Sequence, residues 1–308
     1  DANGPRSALL SLPAPGVWLG RGEGGGAAQL ARQCNEEFAS LAKQQSARLG
    51  FLAALPLPDT ERACAEAVYA LDELDADGIA LMASVNGRFL GDAGLAELMN
   101  ELNRRQARVL VLPNLHGSSA ELRLDIPGFA VEQACDLSRA AVNLILSGTV
   151  ERYPAIRWIF AEGGGFLPYA AWRVSLANAM PGFQDLAPQG VMAYLQRFYF
   201  DTATLALPAL AVLGELVSPS RVLFGSGLPV VPGNIGQQAL VQAQQAEVWS
   251  NDELAGIERG HALSLFPRFA GISEKVVPVP LFESESTLQR IKRSATQPLA
   301  TLMQRMKD

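Results

Sequence analysis

The chain has 308 residues, 49% of them hydrophobic, and a net charge of −6 at pH 7. Lysine and arginine form no cluster before the last twenty residues, so the charge pattern argues against a nucleic-acid partner. The longest apolar runs have the length of a strand and fall short of the roughly 20 residues that cross a membrane, so we expect no membrane segment. The three cysteines, an odd number at wide spacing, predict free thiols in the reducing cytoplasm.

Short apolar segments alternate along the chain with longer segments in which apolar residues recur every three or four positions. This alternation predicts an α/β fold, because strands of a parallel sheet are covered by helices and are apolar along their whole length. Seven strands are predicted, at Ala8–Leu12, Gly50–Leu55, Gly78–Ala83, Arg108–Pro113, Ile156–Glu162, Phe198–Ala203 and Arg221–Gly227. Helices are predicted at Ala27–Gln45, Thr60–Leu74, Gly94–Arg105, Glu132–Val150 and Leu207–Leu216.

The last part of the chain has a different pattern. From Val276 onward a Val-Pro-Val-Pro sequence leads to an amphipathic helix at about Ser286–Met306. We interpret its apolar side as a packing surface for the main domain or for a partner subunit. We therefore predict one domain over residues 1–275 and a C-terminal extension over residues 276–308.

Short motifs spread over most of the chain carry a family resemblance. They are Ser11–Val17, Phe51–Asp59, Asp77–Ile79, Asn86–Asp92, Arg139–Ala141, Ser147-Gly148, Arg152–Pro154, Tyr199–Ala203, Arg221–Ser226 and Arg259–Pro267. In this order they resemble the amidohydrolase-related decarboxylases, the family of aminocarboxymuconate semialdehyde, resorcylate and 6-methylsalicylate decarboxylases. The resemblance implies a (β/α)₈ TIM barrel of the metal-dependent hydrolase type. With seven strands in the sequence, the first strand of that barrel is expected to be missing or replaced.

The resemblance also implies a divalent metal at the carboxyl ends of the strands, and this sequence departs from the family's ligands. The family's His-x-His pair lies on a strand before the start of this chain. Leu112 stands where the family has a histidine, Glu162 replaces the histidine of Ser-His-Ala-Gly-Gly, and Gly227 replaces the aspartate of Gly-Ser-Asp-Tyr-Pro. From these changes we expect no metal and no other cofactor.

Two residues are the first candidates for catalysis. Glu162 follows a predicted strand, beside three glycines and between apolar residues that would raise its pKa and suit it to general acid or base work. In the alternative, Glu162 has no remaining catalytic role and its charge is neutralised by an arginine such as Arg139. His116 lies in a Gly-Ser-Ser loop at the same end, where it would be either a proton donor or a solvated loop histidine.

Other polar residues near strand ends are weaker candidates. Asp201 either takes part in catalysis or only caps a loop and fixes neighbouring strands, and Thr202 after it is expected to contact substrate. Further residues are expected to orient a polar ligand, namely Asn114, Ser84, Asn86, Arg88 and Ser226, to which Arg139 is added as a substrate contact.

The favoured functional hypothesis is a metal-independent enzyme that carries out a cyclisation, dehydration, isomerisation or unassisted decarboxylation. Its substrate would be a small aromatic or polyketide-like molecule. One alternative is an inactive homologue that stabilises an active partner, and another is a metal-dependent non-oxidative decarboxylase. The family resemblance implies a homodimer or a heterodimer with a related barrel.

Overall fold

The computed structural model describes residues 7–20, 25–122, 126–228 and 235–270. Within these ranges, seven strands form one parallel sheet with the order β1-β2-β3-β6-β7-β8-β9, and β4 and β5 form a small antiparallel hairpin. The strands are β1 (Ala8–Leu10), β2 (Leu49–Ala54), β3 (Gly78–Met82), β4 (Ser84–Val85), β5 (Arg88–Phe89), β6 (Arg108–Leu112), β7 (Arg157–Phe160), β8 (Tyr199–Asp201) and β9 (Val222–Leu223).

Helices follow most of the strands and cover the sheet. They are α1 (Gly25–Gln44), α2 (Thr60–Asp72), α3 (Ala96–Arg104), α4 (Glu132–Leu146), α5 (Thr149–Arg152), α6 (Leu167–Ser175), α7 (Val191–Leu195), α8 (Leu207–Leu216), α9 (Ile235–Gln245), α10 (Asn251–Ala255) and α11 (His261–Leu265). None of the helices described is long and apolar enough to cross a membrane.

The predicted α/β class and parallel sheet are confirmed, and each predicted strand overlaps a strand of the sheet. All seven strands end earlier than predicted, by one to four residues. Strand β7 stops at Phe160 because the chain turns at Glu162, and β9 stops at Leu223. The predicted absence of a first barrel strand stays a prediction. So does the C-terminal extension, because residues 271–308 lie outside the described residues.

Two hydrophobic layers hold the sheet. Its outer face packs against the helices through side chains with no solvent exposure, such as Ala67 of α2, Leu98 of α3 and Leu144 of α4. Its inner face carries a second cluster of strand residues, Leu52, Ala80, Ile159, Tyr199 and Leu223, against which Leu265, Phe266 and Phe269 pack. Successive side chains of a strand point to opposite faces of the sheet, so alternate residues pack in the two layers.

The parallel strands give the sheet two chemically different ends. Their carboxyl ends, which we call the mouth, include Met82, Leu112, Phe160, Asp201 and Leu223. Their amino ends, which we call the base, lie on the opposite side. Enzymes built on parallel barrels keep their catalytic groups at the mouth, so a catalytic site is expected there.

Candidate active site

Two carboxylates lie side by side at the mouth. Asp201 is the last residue of β8, and Glu162 follows the end of β7 by two residues. The Asp201 carboxylate oxygen Oδ1 accepts hydrogen bonds from the backbone N–H groups of Glu162 and Ala203, both at 2.9 Å. Asp201 therefore fixes the backbone from which the Glu162 side chain projects.

The chain makes a tight turn at Glu162. Its φ of 53° and ψ of 39° are left-handed, and Gly163, Gly164 and Gly165 after it also have positive φ. A left-handed conformation costs a non-glycine residue roughly 1–2 kcal/mol, and it persists only where neighbouring contacts impose it. The hydrogen bond from the Glu162 N–H to Asp201 is such a contact. Strain of this kind at a strand end points to a functional role for the glutamate.

The surroundings of these carboxylates favour their protonated forms. Burial raises the pKa of Glu162 to about 7, and the nearby negative charge of Asp201 adds to the rise. Burial also raises the pKa of Asp201 to about 6, although its two backbone hydrogen bonds oppose that change. Near neutral pH, Glu162 is divided between an acid that can donate a proton and a base that can accept one.

The alternative in which Arg139 neutralises Glu162 finds no support in the geometry. Arg139 is exposed on α4, and in the part of the chain that the structure describes no ion pair or hydrogen bond joins it to Glu162. Its charge acts instead on Asp136, which lies on the same helix. Glu162 thus keeps the raised pKa that a cation beside it would have lowered.

Asp136 anchors a second polar group at the mouth, one that the sequence did not reveal. The residue is fully buried on α4, and the Ser84 hydroxyl donates to its carboxylate with both oxygens at 2.9 Å. The Asn114 side-chain amide donates to the Ser84 carbonyl oxygen at 2.8 Å. Burial raises the pKa of Asp136, while the Ser84 hydrogen bond and the His116 charge lower it.

His116 lies beside this second group. Its ring stacks on Phe89 of the β4–β5 hairpin, with centroids 5.1 Å apart and an interplanar angle of 6°. Its Nδ1 lies 2.7 Å from the Ser118 hydroxyl, and the residue is half-buried. The hairpin turn itself contains Asn86, at φ 49°, and is followed by Arg88, and both are exposed.

Thr202 and Ser226 form local contacts. Thr202 has no exposed surface. Its N–H donates to the Leu223 carbonyl at 3.0 Å, and its hydroxyl accepts from the Gly225 N–H at 3.2 Å. The Ser226 hydroxyl accepts from the Leu228 N–H at 3.3 Å. The mouth therefore brings together Glu162, Asp201 and Thr202 as one group. It brings together Ser84, Asn114 and His116, with Asp136, as another.

The donors at the mouth do not fit a metal site in the parts of the chain that are described. No group of three or more histidine, cysteine, aspartate and glutamate residues in those parts is arranged to hold a metal ion. Leu112, the last residue of β6, and Gly227, four residues after the end of β9, offer no ligand atoms in their side chains. The loss of the family's full ligand set stays a prediction, because residues 1–6 and 229–234 are not among those described.

Comparisons with known proteins give the wider context. A family profile for amidohydrolases matches residues 13–268. The decarboxylase YanB of Aspergillus niger is 33% identical over 87% of this chain and 77% of its own length. The 6-methylsalicylic acid decarboxylase of Penicillium expansum is 32% identical over 87% of this chain and 83% of its own. The fold matches a crystal structure of dihydroxybenzoic acid decarboxylase from Polaromonas with bound manganese and an inhibitor, at a TM-score of 0.76. The two sequences are 23% identical, and the match covers 86% of this chain and 82% of that one.

These relatives overturn the favoured functional hypothesis. Both similar sequences are decarboxylases, and the dihydroxybenzoic acid enzyme of the same fold holds manganese. The expectation of a metal-independent cyclase, dehydratase or isomerase was therefore wrong, as was that of an inactive partner. The error came from inferring the reaction from three substituted ligand positions. The overall sequence similarity is the stronger guide to the reaction class.

The turn at Glu162 generates a stability prediction. A Cβ at Gly165 would collide with the backbone carbonyl oxygen of Ala134, and Gly165 also has a φ of 68°. Gly165→Ala should lower the free energy of unfolding by about 3 kcal/mol, because strain and a backbone clash act together. Urea unfolding followed by circular dichroism measures the loss.

Gly182→Ala is the matched control. Gly182 has a φ of 90° but nothing within 4 Å of its would-be Cβ, so only the conformational strain remains. We expect that variant to lose about 1 kcal/mol. Equal losses in the two variants would show that the close packing of the turn against Ala134 is not what requires Gly165.

Proposed function

The chain belongs to the amidohydrolase family, as the sequence motifs predicted, and from this we propose that it is a non-oxidative decarboxylase of small aromatic carboxylic acids. The predicted assignment to an enzyme, and to the carbon–carbon lyases in particular, is confirmed by the decarboxylases among its relatives. The observation that carries the proposal is the strained, half-buried Glu162, whose backbone is held by Asp201 at the mouth of the sheet.

Decarboxylation of an aromatic acid requires a proton at the ring carbon that loses its carboxylate. In the proposed step the protonated Glu162 donates to that carbon and a C–H bond forms. The C–C bond to the carboxylate then breaks, its electron pair returns to the ring, and carbon dioxide leaves. The products are the arene, carbon dioxide and the Glu162 carboxylate, which regains its proton from water.

Asp201 acts as a positioning residue in this scheme. It fixes the Glu162 backbone through the 2.9 Å hydrogen bond, and its charge keeps Glu162 protonated to a higher pH. The ends of β1 to β3 form an apolar wall at the mouth, with a recess of about 20 Å³ lined by residues such as Leu12, Trp18 and Met82. The recess is too small for an aromatic ring, so the wall contributes apolar surface to the mouth and does not by itself form the substrate pocket.

We propose hydroxylated benzoic acids as the substrates, because the named relatives act on 6-methylsalicylic acid and on dihydroxybenzoic acid. The second group, Ser84, Asn114 and His116 with Asp136, supplies polar atoms for a ring hydroxyl. Arg88 and Arg139 supply positive charge near the mouth for the carboxylate. The intact thiols of Cys34, Cys64 and Cys135 support a reducing compartment such as the cytoplasm.

If Glu162 is the proton donor, its replacement in Glu162→Gln should abolish most of the decarboxylase activity. Purified protein is assayed for carbon dioxide release from 6-methylsalicylate and 2,6-dihydroxybenzoate, with and without added manganese. Since the donor must be protonated, the activity of the unaltered protein should fall about tenfold per pH unit above about pH 7. Glu162→Gln should lose at least about 100-fold in kcat, while Glu215→Gln, an exposed glutamate of α8, should retain it.

Stability supplies a separate check that Glu162→Gln is folded. The pKa of the Glu162 carboxyl is raised from its ordinary value of 4.5 to about 7 in the folded state. The free energy of unfolding of the protein therefore falls as the pH rises from about 4.5 to about 7. The glutamine variant lacks this loss, so it should melt at a higher temperature than the unaltered protein at pH 8. Full activity in Glu162→Gln, or no decarboxylation of either acid by the unaltered protein, would contradict the proposal.

We also propose that two copies of the chain pair through α6. Apolar side chains lie exposed at helical spacing along α6 and the turn after it, namely Phe166, Tyr169, Trp172, Leu176 and Met180, with Tyr169 88% and Trp172 75% exposed. A contiguous exposed apolar patch marks an interaction site, and one helix face can meet its own copy around a two-fold axis. The patch starts at Phe166, directly after the Glu162 turn, so a second copy would enclose the mouth.

The pairing is tested by sedimentation velocity. The unaltered chain should sediment as a dimer and Trp172→Glu as a monomer, because a charge would be buried in the apolar contact. Val212→Glu, at an exposed valine of α8, should remain a dimer. A monomeric unaltered chain would contradict the pairing, and a dimer that survives Trp172→Glu would place the interface elsewhere.

A further inference from the structure

A cavity of about 180 Å³ opens at the base of the sheet, on the opposite side from the mouth. It lies where the chain enters β7, β8 and β9, and three arginines line it: Arg157, Arg197 and Arg221. The rest of its wall is apolar and aromatic except for the polar Gln106, and consists of Val150, Pro154, Ala155, Ile156, Trp158, Phe198 and Tyr199. A water molecule occupies roughly 30 Å³ of liquid, so the cavity holds a group larger than one water.

The three guanidinium groups are not neutralised by carboxylates in the described ranges. Arg197 donates to the Pro154 carbonyl oxygen at 3.2 Å, and the Arg221 guanidinium lies over the Tyr199 ring at 4.5 Å. Arg157 is exposed, and no ion pair to a described acidic residue is found for any of the three. Ordinary surface arginines would have solvent or carboxylates around them, whereas these converge on one concavity.

Strand register brings in a fourth positive charge. Arg108 begins β6 and lies directly opposite Arg157 in the β6–β7 pairing. Like charges opposite each other across two strands destabilise a sheet. The buried Nε of Arg108 has no hydrogen-bond partner among the described residues. The carboxylate of Asp77 interacts with the charge of Arg108, but it also forms an ion pair with Arg268 at 2.8 Å. Positive charge therefore remains in excess at the base of β6 to β9.

Trp158 supplies an independent indication. It is only 2% exposed, it lines the cavity, and its indole Nε1–H has no hydrogen-bond partner among the residues described. A buried donor without an acceptor is uncommon and calls for an explanation such as a missing ligand or ion. An anion in the cavity would bring acceptor atoms to this wall.

We propose that the base cavity binds a small phosphate-class oxyanion. Guanidinium groups present paired N–H donors that match the oxygens of phosphate, and several arginines around one concavity provide several such pairs. The apolar wall formed by Val150, Ile156 and Phe198 lowers the local dielectric and strengthens these bonds. Binding there neutralises the like charges at the base and stabilises the amino ends of β7 to β9. It takes place apart from the decarboxylation site at the mouth.

The test compares inorganic phosphate with chloride at fixed pH and ionic strength. Phosphate at about ten times its dissociation constant should raise the melting temperature of the full chain by about 2–4 °C, because it binds only the folded state. Isothermal titration calorimetry should give one site per chain. Arg157→Gln and Arg221→Gln should each weaken binding at least about tenfold.

Arg173→Gln is the control, since it removes the same charge from an exposed position on α6. That variant should bind phosphate as the unaltered chain does. Circular dichroism confirms that each variant is folded, and Arg157 is exposed, so its replacement leaves the core intact. The absence of phosphate binding by the unaltered chain would overturn the proposal. Phosphate binding by Arg157→Gln and Arg221→Gln that is as tight as binding by the unaltered chain would also overturn it. So would a larger rise in melting temperature with succinate, a dicarboxylate, than with phosphate.

Discussion

The hydrogen bonds that Asp201 accepts from the N–H groups of Glu162 and Ala203 are the contacts on which the mouth depends. They join the turn after β7 to the end of β8, and they help to hold Glu162 in its left-handed conformation. The segment after β9 must pass close by, and a Cβ at Gly225 would lie 2.6 Å from Asp201 Oδ1. Residue 225 must therefore be a glycine because the Asp201 carboxylate leaves no room for a side chain there.

The same contact has an electrostatic consequence. A carboxylate beside a second carboxylate in an apolar mouth is unfavourable for the fold, and raising the pKa of Glu162 from 4.5 to about 7 corresponds to a cost on the order of 3 kcal/mol above neutral pH. A purely structural site would relieve that cost with a nearby cation, which Glu162 lacks among the described residues. The cost is accounted for if protonated Glu162 is the acid that the reaction needs.

The sequence predicted the parts of this arrangement that local patterns determine. Apolar runs identified all seven strands, and their ends identified Glu162 and Asp201. Asp136 escaped notice because it lies on the apolar face of α4 between residues such as Leu137 and Ala140, where periodicity alone predicts packing. The turn at Glu162 depends on contacts with Asp201 and Ala134, which are distant in the chain and follow only from the fold.

The central claim is that burial, together with the charge of Asp201, raises the pKa of Glu162 into the neutral range, and a titration of the Glu162 carboxyl by carbon-13 NMR tests it most directly. The account predicts a pKa of about 7 in the unaltered protein. In Asp201→Asn, which keeps an oxygen to accept the Glu162 N–H but removes the charge, the pKa should fall. Asp185→Asn, at an exposed aspartate, should leave it unchanged. An ordinary pKa for Glu162 in the unaltered protein, or one that ignores the Asp201 substitution, would contradict the account.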